Sequence, residues 1–126
     1  MKLNYDKAQL EAVVDKVAER TMNMDMTWDW PCGVAYYGIT EAYEATGNKK
    51  YLDMVKERVD ELISLGLPDF TVNTCAMGHV LLTLYKETGD ETYKKIIDDK
   101  LDYLTNHALR FGDHVLQHTV SANNDF

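Results

Sequence analysis

Residues 42–63 read AYEATGNKKYLDMVKERVDELI, and residues 84–105 read LYKETGDETYKKIIDDKLDYLT. Laid over one another at an offset of 42, they pair Tyr43 with Tyr85, Thr46 with Thr88, Gly47 with Gly89 and Tyr51 with Tyr93. Val55 then pairs with Ile97, Val59 with Leu101 and Leu62 with Leu104. The chain carries a repeated unit. A glycine just past a periodic segment suits the left-handed backbone that ends a helix, and the Asn48 or Asp90 that follows suits the cap of the next one. Each copy therefore reads as two antiparallel helices joined by a tight turn.

The two helices of a copy differ in character. In the second, Tyr51, Val55 and Leu62, and again Tyr93, Ile97, Leu101 and Leu104, recur at helical spacing, with Lys49, Lys50, Glu57, Asp60 and Lys94, Lys95, Asp98, Asp99 between them. That pattern predicts an outer helix with one solvated face. The first helices, CGVAYYGITEAY from Cys32 and CAMGHVLLTLY from Cys75, are nearly uncharged and hold Gly33, Ala35, Gly38, Ala42, Ala76 and Gly78. They read as largely buried inner helices whose small residues let neighbours approach closely. His79 on such a helix is expected to be a satisfied core histidine, and the repeated tyrosines 43, 51, 85 and 93 to be packing.

Outward from the repeat, residues 5–22 form another amphipathic helix, with Leu10, Val13, Val14 and Val17 on one face. LGLPDF, residues 65–70, marks a connection, and HVLQHTV, residues 114–120, suggests a short β hairpin. The count is about five helices. A period of this length signals a solenoid or a ring, because one hairpin cannot bury its own apolar face. A ring of six such hairpins needs roughly 250 residues, and this chain supplies about half.

With 126 residues, 45% hydrophobic and 27% charged, residues 1–126 fit a single domain. Thirteen basic against 21 acidic residues give a net charge of −8, which offers no electrostatic footprint for nucleic acid or an acidic membrane surface. The opening MKLNYDKAQLEAVVDKVAER is amphipathic and acidic, unlike an export signal, so a cytoplasmic location is expected. Cys32 and Cys75 are far apart in sequence and read as reduced and packed. His114 and His118 are four apart, but in a β-like segment without an acidic third ligand, so no metal site is expected there.

One further stretch, TWDWPCGVAYYGI from Thr27 to Ile39, sets two tryptophans around an aspartate at the entrance to the first inner helix. Tryptophans there serve either as core packing or as the wall of a binding site. Asp29 doubles as a candidate N-cap, and so does Asn73 in the second copy.

Taken together, WDWPCGVAYYGITEAYEATGNKKYLDMVKERVDELI, TVNTCAMGHVLLTLYKETGDETY and RFGDHVLQHTVSANNDF resemble the N-terminal portion of bacterial unsaturated glycuronyl hydrolases. The resemblance is more narrowly to the unsaturated rhamnogalacturonyl hydrolases of glycoside hydrolase families 88 and 105. It implies an all-α fold in which antiparallel hairpins form about half of an (α/α)6 barrel. It also implies a pocket for a Δ4,5-unsaturated uronic acid, removed from pectin-derived oligosaccharides by hydration of its enol ether. An aspartic acid protonates the double bond, water adds at C5, and the hemiketal collapses, with no metal or organic cofactor.

The resemblance assigns substrate-binding roles to Trp28, Asp29, Trp30, Asn73 and His118, with Asn73 standing where many relatives have a second aspartate. No catalytic residue falls within the chain, because the family's acid lies in a segment that would begin after Phe126, and Asp125 belongs to the loop before it. On this reading the chain alone is inactive and self-associates through its incomplete barrel. The alternative is a helical-repeat binding or self-associating module without catalysis.

Overall fold

The computed structural model describes residues 6–112 and 114–118. Five α-helices account for most of them: α1 (Lys7–Met22), α2 (Trp30–Thr46), α3 (Lys49–Ser64), α4 (Gly78–Thr88) and α5 (Glu91–Asp102). A 3-10 turn, Thr74–Met77, leads into α4, and a π turn, Tyr103–His107, follows α5. Helices α2 and α4 lie side by side as inner helices, with α1, α3 and α5 outside them.

The two hairpin turns are built alike down to single atoms. Gly47 and Gly89 both sit in the left-handed region, at φ 69° and 70°. Their amides donate to the carbonyls of Tyr43 and Tyr85, at 2.8 Å each. Thr46 and Thr88 fold back onto the carbonyls of Ala42 and Leu84, while each threonine oxygen accepts the amide of the residue two along. Asn48 and Asp90 then cap α3 and α5 by accepting from Lys50 and Thr92. Glycine relieves the backbone and the carboxamide or carboxylate satisfies an orphan amide, as the repeat predicts.

The repeat's tyrosines tie neighbouring outer helices together. Tyr51 donates its hydroxyl to Asp15 of α1, and Tyr93 donates to Asp60 of α3, while both rings are buried. The Asp15 carboxylate beside Tyr51 holds its phenol up to about 12, and burial followed by Asp60 does the same for Tyr93. A phenol whose pKa is raised on folding stabilises the fold fully below its unfolded value near 10, and that stabilisation is lost as pH rises through about 12. Urea midpoints should therefore drop between pH 10 and pH 12. Replacing both tyrosines by phenylalanine should flatten that drop and remove about 1–3 kcal/mol per site at neutral pH, the worth of a hydrogen bond to a charged acceptor.

The core runs between the two helix layers, through Tyr36, Ile39, Val55, Val59, Met77, Val80, Leu81, Leu84 and Tyr93. Three details depart from the sequence reading. The inner helices are not largely buried: Val34 and Tyr37 of α2 and Leu82 of α4 are exposed. His79 is exposed too, its ring 5.3 Å from that of Tyr37, because Val80, Leu81 and Leu84 take the buried positions of α4, which packs on α2 and α5, and leave His79 on the open side. In α5 the buried set is Tyr93, Ile96, Ile97 and Lys100, whereas Leu101 is exposed.

The C-terminal hairpin exists but is shifted from its expected place. It pairs Arg110–Phe111 (β1) with Val115–Leu116 (β2), in the register Arg110 to Leu116 and Phe111 to Val115. Gly112, at φ 50°, begins the turn, so the first strand precedes HVLQHTV instead of lying inside it. Residues 119 and 120 of that stretch lie outside the described residues. No helix among the described residues is long and apolar enough to cross a membrane.

Candidate functional site

The inner helices begin at the same end of the molecule, and there the chain makes a cavity of about 710 Å³. Its lining includes Trp28, Asp29, Leu62, Asp69, Asn73 and Thr74. Three of the five residues assigned by sequence thus share one cavity. Trp30 and His118 do not line it: Trp30 projects from the first turn of α2, and His118 follows β2 on the surface.

The two tryptophans divide the roles that the sequence left open. Trp28 is 5% exposed, and its Nε1 donates to the Thr74 carbonyl at 3.1 Å. It is both core and cavity floor, joining the loop before α2 to the turn before α4. Trp30 is 52% exposed, with its ring free toward solvent. Asp29 between them is the N-cap of α2, its carboxylate accepting the Trp30 amide at 2.7 Å. Pro31 follows inside the first turn, where a missing N–H costs nothing.

Asn73 makes no side-chain cap. The turn into α4 is held instead by Thr71 and Thr74, each amide donating to the other's hydroxyl, at 2.9 and 3.1 Å. With that work done by the threonines, the half-buried Asn73 carboxamide borders the cavity as a donor and acceptor.

Sequence reasoning missed Lys100. Although on outer helix α5, it is 4% exposed and reaches inward to the carbonyl that Trp28 uses, donating to Thr74 at 2.9 Å. Its ammonium lies 5.2 Å from the Trp28 ring and 4.9 Å from that of Phe70. Burial pushes its pKa down, with the neighbouring Cys75 acting the other way. The faces of the two rings stand in for water around the cation. A signal was available: Lys100 is Arg58 one repeat on, and Arg58 also turns inward, beside the buried Tyr36 hydroxyl. Each repeat places a cation from its outer helix against the start of an inner helix.

Both cysteines are free. Cys32 is buried, which pushes its thiol up to about 11, and Cys75 is half-buried with its thiol also raised. In both, burial outweighs the nearby cation, Arg58 for Cys32 and Lys100 for Cys75, so neither has the lowered pKa of a reactive thiolate. No group of three or more metal-capable side chains occurs among the described residues.

An inner layer, an outer layer and a cavity at the N-terminal ends of the inner helices define a toroidal α/α architecture. A solved structure, of a possible member of the GH105 family from Klebsiella pneumoniae subsp. pneumoniae MGH 78578, superposes with a TM-score of 0.87. The match is at 20% identity and covers 98% of this chain and 38% of that one. The fold is part of an (α/α)6 barrel, with five of the twelve helices that six hairpins contain. The sequence profile of Glycosyl Hydrolase Family 88 matches residues 5–126, and the chain belongs to that family. Among its relatives is the unsaturated rhamnogalacturonyl hydrolase YesR of Bacillus subtilis strain 168, which is 45% identical over 120 residues. That alignment takes in 95% of this chain and 35% of the relative, so the chain spans about a third of the length of the relative it matches.

Proposed function

We propose that this chain is the substrate-binding portion of a glycoside hydrolase that removes Δ4,5-unsaturated uronic acid from rhamnogalacturonan-derived oligosaccharides. The observation that carries the reading is the 45% identity, over nearly the whole chain, to a protein named for that activity. The cavity at the mouth of the inner helices supports it, since it joins an indole, a free carboxamide and two carboxylates around a space large enough for a sugar.

In this reading Asn73 binds sugar hydroxyls, and Trp28 forms the floor with Lys100 behind it. Asp29 is oriented by its cap bond, the open ring of Trp30 stacks on a sugar at the rim, and His118 approaches from the segment after β2. Hydration of an enol ether needs a carboxyl that donates a proton to the double bond and then accepts one from the attacking water. Asn73 carries no such proton, and Asp29 is committed to its cap. By the family resemblance, the acid belongs to a segment that relatives carry after the stretch matched here.

The test is the loss of ultraviolet absorbance of an unsaturated galacturonyl disaccharide. The 126-residue chain should give no turnover. A full-length protein carrying the same residues should turn over, and there Trp30→Ala should lower kcat/KM by roughly 10-fold or more, the loss of one stacking contact, with an unchanged unfolding midpoint. Robust turnover by the short chain would overturn the placement of the acid. A full-length protein that bound the disaccharide without consuming it would make this a binding module.

A further inference from the structure

We propose that Lys100 is a specificity-determining residue of this site: from behind the cavity wall, its charge favours an anionic sugar over the neutral ester of the same sugar. The inference rests on the reading under which the cavity holds an unsaturated uronic acid, and it names the group that answers that acid's carboxylate.

The lining by itself does not answer it. Among the described residues, the wall of the cavity carries two carboxylates, Asp29 and Asp69, and no lysine, arginine or histidine. A uronate entering there meets like charge. The neutral carboxamide of Asn73 can donate to an ester carbonyl as well as to a carboxylate, so it does not separate the two.

Lys100 stands one layer back. Its ammonium donates to the Thr74 carbonyl at 2.9 Å and sits 5.2 Å from the Trp28 ring, and both Thr74 and Trp28 line the cavity. The lysine is buried, and burial pulls its pKa down, as befits an ammonium without a counter-ion.

The repeat supplies the contrast. Arg58, the equivalent residue one hairpin earlier, is ion-paired with Glu61 and turns toward Tyr36 in the core. Lys100 has no ion pair among the described residues. Both hairpins turn a cation inward, and the one at the cavity is the one whose charge is left uncompensated. In a wall of low dielectric such a charge reaches farther than a paired one. A sugar in van der Waals contact with the wall brings its carboxylate to about 9 Å from the ammonium, where a unit pair at an effective dielectric of about 20–40 changes affinity roughly 5- to 20-fold.

The variant that tests this is Lys100→Met, which keeps an unbranched stem in place and removes the charge together with its desolvation cost. Its unfolding midpoint should equal or exceed that of the unaltered protein. In a full-length protein carrying these residues, turnover of the unsaturated galacturonyl disaccharide is compared with turnover of its methyl ester. Lys100→Met should raise KM for the acid roughly 5- to 20-fold, with kcat for the acid and kcat/KM for the ester unchanged. Arg58→Met, which removes the paired cation, should leave the preference for acid over ester as it was. An equal loss on acid and ester would mean that Lys100 acts by holding the wall in place, and would overturn the proposal. So would an active protein whose Lys100→Met variant keeps the full preference for the acid. An unaltered full-length protein that consumed neither compound would overturn the hydrolase reading itself, and this inference with it.

Discussion

Replacing Trp28 by alanine is expected to lower the unfolding free energy by about 3–5 kcal/mol, while the same change at Trp30 stays within about 0.5 kcal/mol. The two residues are separated by one position and differ tenfold in exposure, 5% against 52%. Removing the Trp28 indole opens a cavity in the core and takes a donor from the Thr74 carbonyl. It also strips one of the two rings from the buried Lys100 ammonium, whose desolvation then goes less compensated. Urea denaturation of the two single variants measures the contrast. Equal losses would show that Trp30 is held in a contact of its own, and an intact Trp28→Ala protein would show that the loop before α2 is not tied to the core.

Gly33→Val carries the other large effect, at about 3 kcal/mol or more, with outright failure to fold as its extreme. A Cβ built at Gly33 lies 2.7 Å from the carbonyl carbon of Ala76, 2.8 Å from its oxygen and 2.9 Å from its Cβ. The first two of these are backbone, so no rotamer change relieves the clash and α2 must move away from the turn before α4. Overpacking that shifts backbone is costly in a close-packed core. The control is Gly38→Ala, where nothing stands within 4 Å and the change should be neutral or stabilising by up to about 1 kcal/mol, the helix-propensity difference. A chain that tolerates Gly33→Val with its midpoint unchanged would disprove the close approach of the inner helices.

The fold was legible because its decisive features are local. Gly47 and Gly89 take the left-handed backbone, and Asn48 and Asp90 cap the following helices, as residue type and spacing require. The membership in a glycoside hydrolase family was legible for a different reason, as a resemblance spread over the whole chain that the family profile and the curated relative both support. The site was legible in part. Trp28, Asp29 and Asn73 meet at one cavity because they precede equivalent inner helices, but Trp30, two positions after Trp28, is exposed and does not line it. Lys100 escaped notice because a lysine on a charged outer helix looks solvated, and its inward course depends on a carbonyl and two rings brought from elsewhere in the chain.

What the sequence by itself determined is the repeat: its turns, its caps, its alternation of uncharged and amphipathic helices, and the order in which they follow. These rest on interactions within a few residues, where spacing alone brings the partners together. What the tertiary structure alone decided is which members of each pattern are covered. Gly33 and Gly38 are the same residue on one helix, yet one touches backbone and the other open space. Val59 and Leu101 hold the same place in the repeat, yet one is buried and the other bare. The difference lies in whether a neighbouring hairpin is present, and a contact between hairpins 42 residues apart has no signature in the spacing of either one.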